Sequence, residues 1–88
     1  MYNYETEKPW LFTDEGQRVF LKIRDQVFSL LRTAGAVDMQ HAIAGVSAPD
    51  NWTLLACVDR LVELEEIREI NYGDCPAQYR IFVLRNGR

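Results

Sequence analysis

A chain of 88 residues, 48% hydrophobic and 26% charged, is long enough for one folded unit burying somewhat over ~60% of its unfolded surface, and too short for two. No apolar run approaches the ~20 residues needed to span a bilayer. The opening MYNYETEKPW has acids and aromatics where a secretory signal would carry basic and then apolar residues, so a cytoplasmic protein is expected. The net charge of −3 argues against a strong general attraction to nucleic acid.

Residues 1–12 read as an aromatic amino-terminal arm with Tyr2, Tyr4, Trp10 and Phe12 and with Pro9 in its middle. Burying one aromatic ring removes roughly 150–250 Å² from water, so Trp10, Leu11 and Phe12 are expected to dock on the body or on a partner. Thr13 can cap the next helix, and Asp14 and Glu15 suit the positive end of its dipole. Gly35 can close this helix after Ala34 in a left-handed conformation. At ~100° per residue, Val19, Phe20, Ile23, Val27, Leu30, Leu31 and Ala34 share one face, while Leu21 and Phe28 project almost opposite. That second apolar patch needs a cover: either the arm folds back over it, or two copies pair on this helix.

Asp38 can cap a second helix from Met39 to Ala44, with Met39, Ala42, Ile43 and Val46 facing inward and Gly45 at the turn. Asp50 or Asn51 can cap the third, where Leu54, Leu55, Val58, Leu61, Val62 and Leu64 recur at three- and four-residue intervals and require one buried face. Cys57 falls near this stripe and Cys75 in a later turn, so both are expected to be free thiols. Helical spacing then gives way to alternation. Ile67–Tyr72 and Tyr79–Leu84 read as a hairpin joined by residues 73–78, and the second strand, apolar on both faces, suits a central position in a sheet.

The triplet Gly45-Val46-Ser47 resembles the turn of bacterial helix-turn-helix regulators, in which a glycine permits the reversal and the next apolar residue plugs the core. With the hairpin that follows, Thr13 to about Leu84 is similar to the winged-helix superfamily. The resemblance implies an α+β fold of three helices and a small antiparallel sheet. Its order is helix 1, strand 1, helix 2, helix 3, strand 2, strand 3, with strand 1 at Ala36–Val37 and the last strand between the other two. The domain would cover 13–85, followed by a short basic tail, 86–88. Two features depart from the family pattern: the segment Ser47–Asn51 is about three residues longer than the common tight turn, and Glu65 stands where those proteins usually end the helix with glycine.

His41 is the only histidine, neither cysteine has zinc-ligand spacing, and Glu63, Glu65, Glu66 and Glu69 are expected to diverge into solvent rather than pair for acid–base work. There is no glycine-rich phosphate loop and no nucleophile motif, so no enzyme, metal, cofactor or small-molecule ligand is expected. Two binding functions remain. The favoured one is a regulatory protein–protein interaction module, self-associating or holding a basic partner, through Trp10, Leu21, Phe28, Trp52, Asp59, Glu63 and Glu66. The alternative, implied by the resemblance, is a DNA-binding transcription regulator that presents Thr53, Ala56, Asp59 and Arg60 to bases and Arg80, Arg85 and Arg88 to phosphates. Charge weighs against the alternative: between Asp50 and Glu66, five acids (Asp50, Asp59, Glu63, Glu65, Glu66) face Arg60 alone, and a duplex repels such a helix.

Overall fold

Four helices and a three-stranded antiparallel sheet account for the described residues, 1–70 and 76–85, of the computed structural model. In chain order these are α1 (Tyr4–Leu11), α2 (Asp14–Ala34), β1 (Val37–Asp38), α3 (Met39–Ile43), α4 (Asn51–Glu63), β2 (Ile67–Glu69), a 3-10 turn (Ala77–Tyr79) and β3 (Ile81–Leu84). The α+β class agrees with the sequence, but there is one helix more than expected, because the arm is itself helical. The Asn3 side chain caps α1 by accepting from the Thr6 N–H at 3.3 Å, and Glu5 and Glu7 occupy its first turn. Pro9, which on sequence argues against a helix here, removes one helical hydrogen bond. Docking of α1 on the body outweighs that loss.

The capping residues behave as their chemistry dictates. Thr13 Oγ1 accepts from the Gly16 N–H at 3.0 Å to start α2, and Gly35, at φ 82°, ends it. Asp38 Oδ1 accepts from the His41 N–H at 2.8 Å to start α3. The Gln26 side-chain amide lies within 3.0 Å of the His41, Ala42 and Ala44 carbonyls and so satisfies the end of this short helix from across the α2–α3 contact. Asp50 Oδ1 accepts from the Thr53 N–H at 2.9 Å at the start of α4. At the other end Glu65 adopts φ 61°, with Glu65 N–H donating to the Val62 carbonyl at 2.9 Å and Glu66 N–H to that of Leu61 at 3.0 Å. A glutamate therefore takes the left-handed position usually given to glycine.

The sheet order is β1-β3-β2, so the last strand is central, as its two apolar faces require. Val37 pairs with Phe82, and Ile67, Arg68 and Glu69 pair with Leu84, Val83 and Phe82. The strands are shorter than expected: β3 starts at Ile81 because residues 77–79 turn, and β1 is shifted to Val37–Asp38. Asn71, Tyr72, Gly73, Asp74 and Cys75, expected in the hairpin, and Arg88 of the tail lie outside the described residues.

Phe82, Ile67, Leu11, Ile23, Val27, Met39, Val58 and Leu61 are essentially without solvent contact at the centre of the core. Of the α2 stripe, Val19, Phe20, Ile23, Val27 and Leu31 are buried, Leu30 is half-buried and Ala34 is exposed. Leu64, expected on the buried face of the third helix, is 42% exposed beyond its last turn.

Two substitutions check this account. Glu65→Gly is expected to raise the unfolding free energy by about 1 kcal/mol, since it relieves the left-handed strain, and a lower denaturation midpoint would count against it. A Cβ on Gly16 would stand 2.0 Å from the Trp10 carbonyl oxygen and 2.8 Å from Leu11 Cα. Gly16→Ala is accordingly expected to cost about 1–3 kcal/mol by forcing α1 away from α2; an unchanged midpoint would mean that this approach is looser than the structure has it.

Candidate functional site

Helix α4 is buried on two sides. Leu54, Val58 and Leu61 face the core, yet Ala56, on the opposite side at ~100° per residue, is 0% exposed. The cover is α1, and polar bonds fix where it lies. Tyr2 Oη donates to Asp59 Oδ2 at 2.5 Å and Tyr4 Oη to Glu63 Oε1 at 2.6 Å. Lys8 Nζ lies 2.6 Å from Glu63 Oε2, and the Arg60 guanidinium sits 5.2 Å above the Phe12 ring. A row of α4 side chains one turn apart thus receives the row Tyr2, Tyr4 and Lys8.

Behind Asp59 the network continues into the sheet. Arg80 Nη2 donates to Asp59 Oδ1 at 2.8 Å and to Glu69 Oε1 at 2.9 Å, and Arg80 Nε donates to Glu69 Oε2 at 3.1 Å. Burial works against the charge on Arg80, but the two carboxylates more than compensate and raise its pKa further. Burial, and then the hydrogen bond to Asp59, likewise push the Tyr2 hydroxyl well above the ordinary tyrosine range. Hydrogen bonds to charged groups contribute about 1.5–3 kcal/mol, whereas an exposed pair such as Arg18–Glu15, with side chains 63% and 54% exposed, contributes ~0–1. The bond to the half-buried Asp59 is therefore the stronger polar tie on α1, beside the burial of Leu11 in the core, while those to the exposed Glu63 are screened by solvent.

The residues singled out from the sequence separate accordingly. Asp59 is half-buried beneath Tyr2 and Arg80, and Glu63 is shared by Tyr4, Lys8 and Arg60. Glu66 pairs with Arg24 at 3.1 Å. The acidic face expected to meet a basic partner is instead satisfied within the chain. Thr53 is 5% exposed and its hydroxyl donates to the Asp50 carbonyl, so it cannot be offered to a base as expected. Nor can the buried Ala56. Arg80 and Arg60, expected at phosphates or bases, are held by carboxylates, and Arg85 is exposed 3.7 Å from Glu65. Trp10 is half-buried against the core and Trp52 is 42% exposed.

The arm does not cover the second apolar patch of α2, since it turns toward α4. Leu21 remains 55% exposed, and Phe28 is half-buried beneath the Arg24 guanidinium, 5.0 Å from its ring. Lys8 and Gln26 were not singled out from the sequence; Tyr2 and Tyr4 were noted only as aromatics of the arm, and Glu69, expected to diverge into solvent, is instead held by Arg80. Their partners lie between 11 and 59 positions away, so no local signal marks these contacts.

Little here suggests reaction chemistry. Cys57 is fully buried and burial pushes its thiol up to about 12. His41 is exposed, with Nδ1 2.7 Å from Asp38 Oδ1. An open groove of about 560 Å³ between α3, α4 and the 3-10 turn is lined by Ile43, Val46, Leu54, Gln78 and Tyr79 among others, with no carboxylate, histidine or thiol among its described lining residues. No helix of the described residues is long and apolar enough to cross a membrane. Comparison of the chain with protein-family models, curated proteins and solved structures returns no match.

The bonds to Glu63 make α1 docking acid-sensitive. Lys8, then Tyr4 and Arg60, lower its carboxyl to about 2 from an ordinary 4.5. A depressed carboxyl contributes stability that is complete above its unfolded value and lost as pH falls through the folded one. Unfolding free energy is expected to drop between about 4.5 and 2, and the drop to be shallower in Glu63→Gln; equal slopes in denaturation series would rule Glu63 out as the acid-labile contact.

Proposed function

We propose that the chain is a non-enzymatic, winged-helix-type module of the cytoplasm that binds protein in a regulatory role. Support for the winged-helix assignment is the order α2, β1, α3, α4, β2, β3 from Asp14 onward, with β3 between the other strands and a glycine turn at Gly45, φ 77°. A DNA-reading winged helix needs the outer face of its third helix open to a groove. Here the corresponding helix is α4, and α1 lies on that face.

That coverage carries the reading. The Tyr2–Asp59 and Tyr4–Glu63 bonds close the α4 surface, and Arg60 and Arg80, the cations nearest to it, are engaged by acids of the same chain. DNA binding through α4 would require α1 to leave, and the surface then uncovered would carry Asp59 and Glu63. Among the described residues, Leu21 on the outer face of α2 and Trp52 at the start of α4 remain exposed, as do Phe12, Leu64, Ile70 and Tyr79, and Phe28, on one face with Leu21, is half-buried. Exposed aromatic and leucine side chains on a rigid helix are typical anchors for protein contacts. The reading also changes which substitutions are informative. Reversing charge at Glu63 would report on α1 docking, so partner contacts are better tested at Leu21 and Trp52.

The test is binding of the full chain to random-sequence duplex DNA across a salt series. No binding at low salt is expected. Binding that weakens steeply with added salt would mean that phosphates are being neutralised, and would overturn the protein-binding reading in favour of a DNA-binding regulator.

A further inference from the structure

On α2, the residues Asp14, Arg18, Leu21, Asp25, Phe28 and Arg32 follow one another in alternating steps of four and three. Such spacing makes one straight stripe along a helix, here with two apolar residues, Leu21 and Phe28, among four charged ones. Every member is exposed except Phe28, which is half-buried. Two observations set this stripe apart from an ordinary solvated face. Leu21 protrudes from its middle at 55% exposure, and Arg24, Asp25, Phe28 and Arg32 surround a depression of about 320 Å³ one to two turns further on. One helix thus carries both a knob and a hole.

The charges choose an occupant. Asp14, Lys22, Asp25 and Arg32 have no ion pair among the described residues. We propose that the outer face of α2 is a self-association surface, on which a second copy of the chain packs its α2 antiparallel about a two-fold axis. Leu21 of each copy then sits in the depression of the other. In that register Asp25 lies beside Lys22 of the second copy, and Arg32 faces its first turn, Asp14 and Glu15. Asp14, Lys22 and Arg32 each meet an opposite charge, and the two Lys22 side chains flank the two Asp25 carboxylates where these approach at the two-fold axis. A parallel pairing in register would set Asp14 on Asp14, Asp25 on Asp25 and Arg32 on Arg32, which like-charge repulsion disfavours. The dipole of α2 itself accounts for acids in its first turn and a base in its last. Lys22 and Asp25, one turn apart in its middle, attract each other along the helix but are not joined in an ion pair, which leaves both able to meet a second copy.

A single pair of 21-residue helices, each ~31 Å long at 1.5 Å per residue, offers less than the ~1,200–2,000 Å² of a standard interface. The proposal is accordingly of a weak, reversible dimer rather than an obligate one. This proposal rests on the protein-binding reading and is tested separately from it, by sedimentation equilibrium of the full chain at about 10–500 µM, a span that brackets such affinities. The mass is expected to rise from monomer toward dimer with concentration. Leu21→Asp should hold it at monomer. Lys22→Asp and Asp25→Lys should each weaken association about tenfold, and the double variant should restore it, which a merely structural role for these exposed residues would not do. A monomer throughout would overturn the proposal, as would a dimer indifferent to Leu21→Asp or not rescued by the double swap. Failure here combined with no DNA binding in the salt series would leave the protein-binding reading intact; DNA binding would remove that reading itself.

Discussion

The hydrogen bond from Tyr2 to Asp59 joins three parts of the chain that are far apart in sequence. Asp59 stands on the side of α4 that faces away from the core, and on its other flank it holds Arg80, which in turn holds Glu69 of β2. A half-buried carboxylate is costly unless its lone pairs are engaged. Here the partners that engage it are a tyrosine from the start of the chain and an arginine just before β3. Helix α1, helix α4 and the sheet are thereby coupled through one side chain.

The coupling determines which surfaces the molecule can use. With Tyr2 on Asp59 and Tyr4 and Lys8 on Glu63, the acidic face of α4 is covered by α1. It is an internal interface. The energetic comparison favours this at Asp59, because its charge-assisted bonds to Tyr2 and Arg80 are partly buried and outweigh the solvated pairs elsewhere on the surface. Gly16 makes the same interface possible from the other end, since only a residue without a side chain allows α2 to start so close to the Trp10 carbonyl. The outer face of α2, with Leu21 in its middle, is among the surfaces this arrangement leaves open.

Much of the domain from Thr13 onward was legible in the sequence, and residues show why. Thr13, Asp38 and Asp50 act on backbone groups two or three positions away, so their capping roles are local and can be read without knowing the fold. The same holds for Gly35 at φ 82° and for the central place of β3. The boundaries of the hairpin were less legible: Tyr79 alternates as a strand residue would, but residues 77–79 turn as a 3-10 segment before Ile81 joins the sheet. Helix α1 was missed because Pro9 and a length of eight residues make it a poor helix in isolation.

By itself, then, the sequence determined the secondary elements from α2 to β3, their caps, the one-sided core stripes and the absence of a recognisable catalytic motif, because each depends on neighbours within a few residues. The tertiary structure alone decided where the polar residues of α4 point their charges. Asp59 and Glu63 look like a free acidic ridge along the chain, and they are satisfied ligands in the folded molecule. The reason is that their partners, Tyr2, Tyr4, Lys8 and Arg80, lie between 21 and 59 positions away, and burial and hydrogen bonding act through space, where periodicity carries no information.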